Sequence, residues 1–196
     1  MPAKDRNRIE YLGWALSILD SEDEFEQLKT FDCGDDDLNE FFREDALPHK
    51  EELLAETYAL RLNDPEATGS NDSLSDPVAF VTFNNDNIEL TQRKRKKLLP
   101  AKKARYRYLP AVKIGRLGVR KEYQGKDIGT HLLNMVKRLF LTNNRTGCRF
   151  ITVDAYNKPR VLKFYLKNDF SFLHNKDENK ATRIMYFDLK RLKGQL

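Results

Sequence analysis

Apolar positions fall at helical spacing in some stretches of this chain and at strand spacing in others. In FDCGDDDLNEFFREDA (31–46), acidic and capping-type residues precede Leu38, Phe41, Phe42 and Ala46. That makes one apolar helical face with a negative first turn, so a helix is predicted to start near Asp35. TYALRL (57–62) alternates as a strand does, and VAFVTF (78–83) is a buried-strand run. Between them, NDPEATGSNDSLSD (63–76) has the content of a flexible hairpin connection. Gln92 to Lys97 predict the start of a helix that Pro100 ends.

The second half is more regular. AVKIGRLGV (111–119) is strand-like. Over 128–144, Ile128, Leu132, Leu133, Val136, Leu139 and Phe140 repeat at helical spacing, until Asn143, Asn144 and Gly147 stop them. RFITVDA (149–155) reads as a strand, and PRVLKFYLK (159–167) as a helix with proline in first position. FSFL (170–173) and RIMYFDL (183–189) are strands joined by the polar turn HNKDENKA. The order is helix, two strands, a basic connection, then strand–helix–strand–helix–strand–strand, which is α/β with a mixed sheet.

The chain has 196 residues, enough for one domain with a real core. No apolar run approaches the ~20 residues of a membrane span. The first residues have no small-residue cleavage site, so no signal peptide and no membrane partner are expected. Cys33 and Cys148 form neither a CxxC pair nor a metal pattern, and no metal site is expected. They read as reduced core thiols of a cytoplasmic protein.

The net charge of +5 hides a split. Residues 1–90 carry 7 basic and 23 acidic side chains, whereas residues 91–126 carry 14 basic and one acidic. The basic stretch contains QRKRKKLLPAKKARYRYLP, with Tyr106 and Tyr108 among its arginines. Such a patch attracts a polyanion, or else it is a solvated surface balanced by the acidic first part of the chain.

The most informative stretch is YQGKDIGTHLL (123–133), between a strand and a helix. Main-chain N–H groups at a helix start lack intrahelical acceptors and make an anion site with the helix dipole. Gly125 and Gly129 would let that backbone approach a phosphate. Asp127 places a negative charge in the same loop. Its main-chain N–H still serves, and aspartate enters the left-handed region more easily than most residues. Lys126, Arg120 and Lys121 are near enough in sequence to offset its charge.

This segment resembles the acetyl-CoA loop of the GNAT superfamily of N-acetyltransferases, whose pattern is Gln or Arg, two residues, Gly, one residue, Gly or Ala. Here it reads Gln124, Gly125, Lys126, Asp127, Ile128, Gly129, with Asp127 at the first glycine of the pattern. A second block, NKPRVLKFYLKNDF (157–170), is similar to the family's later helix. Tyr165 matches its tyrosine and Phe170 its phenylalanine, Val161 replaces an alanine, and Asn168-Asp169 replaces a glycine turn.

The resemblance implies a GNAT fold over one domain, 1–196. Its sheet would be mixed, mostly antiparallel, of six or seven strands flanked by helices, with a splayed central pair. The acceptor side would be about 1–110 and the cofactor side about 111–196. It implies acetyl-CoA as acetyl donor, held by Leu117, Gly118, Val119, Gln124, Gly125, Lys126, Asp127, Ile128, Gly129, Thr130 and Asn157. It implies that the Val119 N–H polarises the thioester carbonyl. Tyr165 would donate a proton or hydrogen bond to the leaving sulfur. The base that deprotonates the amine is not legible. Glu122 looks like a surface residue, His131 like a structural one, and His49 and His174 have no visible partners.

The front of the chain resembles the opening of GNAT-type toxins that acetylate aminoacyl-tRNA. Phe31, Cys33, Gly34, Leu38, Asn39, Phe41, Phe42 and Ala46 carry the likeness, and Gly118 stands where that strand usually has Ala. The implied partners are an amine acceptor, tRNA among the candidates, a second copy of the chain and an antitoxin. Acetylation of a small amine or a protein amino group stays open at this stage. So does a GNAT-fold module that binds nucleic acid or protein without catalysis.

Overall fold

A computed structural model describes residues 8–62, 76–100, 105–142 and 147–194. The strands are β1 (Arg8–Tyr11), β2 (Trp14–Ile18), β3 (Glu56–Leu62), β4 (Ala79–Glu89), β5 (Tyr108–Val119), β6 (Phe150–Tyr156), β7 (Ser171–Phe172) and β8 (Thr182–Asp188). The helices are α1 (Glu22–Glu26), α2 (Asp36–Glu40), α3 (Ala46–Glu51), α4 (Gln92–Leu98), α5 (Ile128–Thr142) and α6 (Pro159–Lys167). The strands form one mixed sheet of eight in the order β1-β2-β3-β4-β5-β6-β8-β7. The sequence led us to expect six or seven. The first hairpin was not anticipated, because its turn is Leu12-Gly13, with φ of 51° and 76°, and leucine is not a residue that signals positive φ.

The chain divides into two compact units, Met1–Asn84 with Gly115–Asn143, and Asn85–Ile114 with Asn144–Leu196. In the first, β1, β2, β3 and β4 pair antiparallel in sequence order. The capping box of Ser21 and Glu24 opens α1. The predicted helix near Asp35 is present: the Asp35 carboxylate accepts from the Leu38 N–H at 3.3 Å. It is not one continuous helix, however. Phe41–Asp45 forms a wider π-type turn between α2 and α3. Its buried Phe41 and Phe42 join Leu19, Phe25, Leu28, Phe31, Ala59 and Phe80 in an apolar core. Helix α5 ends at Thr142, and the stop signals at Asn143 and Asn144 lie outside the described residues.

In the second unit, β5 pairs parallel with β6 over Ala111–Ile114 and Phe150–Val153. β6, β8 and β7 follow antiparallel. Its core gathers Ile88, Leu90, Leu99, Leu109, Ala111, Phe150 and Leu173. Pro159 opens α6, as its sequence position predicts. Both cysteines are buried, and the Cys148 thiol donates to the Phe150 carbonyl at 3.0 Å. Desolvation raises the Cys33 thiol, and pushes that of Cys148 up to about 11. The expected connection at 63–76 falls almost wholly outside the described residues.

Candidate active site

Two blocks far apart in sequence meet within the first unit. Asp32 sits in the turn before α2, and its carboxylate accepts from the Gly34 N–H at 2.8 Å, from Asn39 Nδ2 at 2.9 Å and from Lys121 Nζ at 2.7 Å. The Lys121 bond leads the effects that hold this exposed carboxyl down at about 2. Main chain joins main chain where the Lys121 N–H donates to the Asp32 carbonyl at 3.0 Å. Gln124 Nε2 donates to the Cys33 carbonyl at 2.7 Å and the Val119 carbonyl at 3.0 Å. The Asn39 side chain closes the turn by accepting from the Cys33 N–H at 2.9 Å. The FDCG block is therefore a clasp on the strand end and loop that follow Gly118.

That clasp explains one departure from the family pattern. A Cβ on Gly118 would stand 2.9 Å from Phe31 Cζ and 3.1 Å from Phe42 Cε2. The two rings occupy the volume that alanine would need.

Past the clasp, Gly125 has φ 77° and Asp127 has φ 57°. Asp127 therefore holds the left-handed conformation that a glycine would otherwise supply. The α5 ladder begins with the His131 N–H on the Asp127 carbonyl at 3.0 Å, so the N–H groups of Ile128 and Gly129 precede it. Thr130 lies in the same first turn. The cations expected to offset the aspartate bond to other groups. Lys121 pairs with Asp32, and Arg120 donates to the Pro77 carbonyl at 2.8 Å and the Thr30 carbonyl at 3.1 Å. The Lys126 ammonium lies over the Tyr123 ring, 5.5 Å from its centroid. Leu117, Gly118 and Val119 end β5 just before this loop.

Tyr165 and Asn157 belong to the second unit. A second aspartate does a glycine's work there. Asp169 has φ 66°, the Phe170 N–H reaches the Tyr165 carbonyl at 3.0 Å, and the Asp169 N–H reaches that of Leu166 at 3.0 Å. This is a Schellman motif with aspartate in the left-handed position, and the Tyr165 and Phe170 rings, 5.3 Å apart, supply its apolar contact. Tyr165 is buried, and desolvation pushes its phenol well above the usual tyrosine range. Asn157 Nδ2 donates to the carbonyls of Glu178 and Lys180, both at 2.9 Å, and so braces the turn before β8.

The basic stretch splits by role. Lys94 Nζ is turned inward on the carbonyls of Phe172 (3.0 Å) and Leu173 (2.7 Å), where desolvation lowers its pKa. Arg107 pairs with Glu89 at 2.7 Å and lies over the Tyr108 ring. Arg93, Lys96, Lys97 and Arg105 are exposed, as are Tyr106 and Tyr108. Lys102 and Lys103 lie outside the described residues.

A pocket of about 160 Å³ in the first unit has no counterpart in the sequence pattern. It is lined by Phe41, Asp45, His49, Ala55, Thr82, Asn84, Gly115 and Arg116. A β-strand pattern carries no mark for a polar residue that faces a cavity, and His49 has its partner in a main-chain carbonyl.

Fold and loop together define the class. Residues 79–172 match the Acetyltransferase (GNAT) domain family. Among solved structures, a tyrosine-to-phenylalanine variant of KacT superposes with a TM-score of 0.69 at 20% identity, over 94% of this chain and all of that one. AtaT complexed with acetyl-methionyl-tRNAfMet gives 0.67 at 24% identity, over 92% and 97%. AtaTR bound with acetyl-CoA gives 0.65 at 20% identity, over 92% and 96%. No curated protein sequence matches the chain. Among the described residues, no helix is long and apolar enough to cross a membrane.

Proposed function

We propose that the protein transfers an acetyl group from acetyl-CoA to the α-amino group of an aminoacyl-tRNA. The observation that carries the reading is the clasped loop, left-handed at Gly125 and Asp127, that opens onto α5. Its main-chain donors suit a pyrophosphate, since they need no side chain and point where the helix dipole favours an anion. The Asp127 backbone contributes to that array, and its side chain is not needed for it. Gln124 acts by holding the loop's shape. Gly118 and Val119 present the strand end to the thioester, with the Val119 N–H polarising its carbonyl. Tyr165, held protonated by burial, donates to the leaving sulfur.

The tRNA acceptor is supported by the exposed cations and tyrosines around α4, which suit phosphates and an unpaired end. It is also supported by the likeness to AtaT complexed with acetyl-methionyl-tRNAfMet. An antitoxin is a further partner, suggested by the likeness to AtaT bound to the C-terminus of the antitoxin AtaR. The test has two stages. Calorimetry should find micromolar acetyl-CoA binding, and its absence removes the reading. Labelled acetyl transfer should then favour aminoacyl-tRNA over free amines and weaken steeply with added salt. Salt-insensitive acetylation of small amines alone would reassign the acceptor.

A further inference from the structure

The pocket in the first unit has a chemistry of its own. His49 Nδ1 lies 2.8 Å from the Asp45 carbonyl oxygen. A carbonyl only accepts, so Nδ1 carries the proton and Nε2 keeps a bare lone pair. The ring is held edge to face against Phe41, with centroids 5.0 Å apart. Across the pocket, Asn84 Oδ1 is buried and has no hydrogen-bond partner. It occupies the space a Cβ on Gly115 would need, 2.9 Å away. Arg116 Nε is buried and makes no hydrogen bond, and its charge is met by Asp37 Oδ2 at 3.8 Å. Its guanidinium lies over Phe41, 5.0 Å from the ring centroid, and its main-chain N–H donates to the Thr82 hydroxyl at 2.8 Å.

Buried polar atoms without partners are costly, by about 1–3 kcal/mol each, and they call for an explanation. Here they form a complementary set. Asn84 Oδ1 is a buried acceptor, the half-buried His49 adds a second at Nε2, Arg116 Nε is a donor beside Asp37, and Phe41 and Ala55 are apolar. The volume of about 160 Å³ is well above the ~30 Å³ share of one water. An α-aminoacyl ester offers the matching parts: an ammonium for the two acceptors, an adjacent carbonyl for the donor, and a side chain for the apolar wall. A simple polyamine lacks the carbonyl. Gly115 and Arg116 also directly precede Leu117–Val119 on β5.

The geometry points to this pocket as the seat of the aminoacyl group, with His49 Nε2 as the base that takes the ammonium proton. This rests on the acetyl-transfer reading above. His49 gains one proton and becomes imidazolium. The neutral amine nitrogen forms the N–C bond to the thioester carbon, the C–S bond breaks, and the thiolate leaves. The amine's second proton passes to solvent. The charged groups that face His49 are Asp45 on its own stretch of chain and Arg116 on β5. Asp37 of α2 stands 3.8 Å from Arg116 Nε, and Glu56 of β3 is tied to Lys50 at 3.1 Å.

His49→Asn is the decisive variant. Its Nδ2 can replace Nδ1 as donor to the Asp45 carbonyl, while nothing replaces Nε2. With bulk aminoacyl-tRNA and acetyl-CoA, kcat is expected to fall at least tenfold. The acidic limb of the kcat/KM pH profile should disappear, and acetyl-CoA affinity by calorimetry should stay unchanged. Gly115→Ala, which displaces Asn84, should raise KM for aminoacyl-tRNA several-fold. A wild-type rate and pH profile in His49→Asn would overturn the assignment of the base alone. Failure of the wild type to acetylate any aminoacyl-tRNA would overturn the acceptor reading and this inference together.

Discussion

Gln124 Nε2 donates to the Cys33 carbonyl at 2.7 Å, across 91 residues of sequence. The same amide reaches the Val119 carbonyl at 3.0 Å, so one side chain ties the strand end, the loop and the turn before α2. Leucine at this position would fill the space and leave two carbonyls without their donor. Gln124→Leu is expected to cost about 1–3 kcal/mol of stability in denaturant titration. Acetyl-CoA affinity should fall with it, because the loop loses its brace. Unchanged stability would show that the clasp contributes nothing measurable.

Gly118→Ala restores the residue that the resembling strand usually carries. Here the added methyl meets the Phe31 and Phe42 rings at 2.9–3.1 Å. The expected loss is about 1–3 kcal/mol, as for overpacked cores. Phe31→Leu in the same chain should recover part of it, read as a coupling in a double-mutant cycle. Additive effects would mean that the rings yield without strain.

Asp127→Gly keeps the left-handed backbone and removes a carboxylate from the proposed phosphate loop. Acetyl-CoA binding should be preserved or improved. Asp127→Val should weaken it, since a β-branched residue at φ near 57° is strained. Calorimetry on the pair separates backbone from charge. A large loss in the glycine variant would give the carboxylate a positive role.

Tyr165→Phe should lower turnover and leave acetyl-CoA affinity nearly unchanged. Burial raises the phenol's pKa, so the proton is retained as pH climbs past the ordinary value of 10.0. The wild-type rate should therefore show no loss from tyrosine ionisation near pH 10. Turnover unchanged in the phenylalanine variant would exclude the proton-donor role.

The long amphipathic helix α5, the helix start at Asp35 and the helix behind Pro159 were legible because caps and 3.6-residue spacing agree there. The first hairpin was not, since its turn puts a leucine at positive φ. Helix α1 was also missed, though Ser21 and Glu24 carry a capping box. β4 was cut short at Phe83 because its continuation, NNDNIE, is mostly polar. At the site, the left-handed aspartates could be anticipated from residue chemistry. The bonds of Gln124 and Asn157 to remote carbonyls could not, because long-range partners leave no local pattern. His49 looked unpartnered for a different reason: its partner is the Asp45 main-chain carbonyl four residues back, which no side-chain pattern marks.

The clasp also sets an order of events during synthesis. The Asp32 turn is made early and waits for a partner 91 residues downstream of Cys33, and contacts of such long sequence separation form late in folding. A growing chain therefore has no braced loop before α5 until synthesis has passed well beyond its middle. Prematurely terminated products that stop before Gln124 contain the clasp without anything to hold.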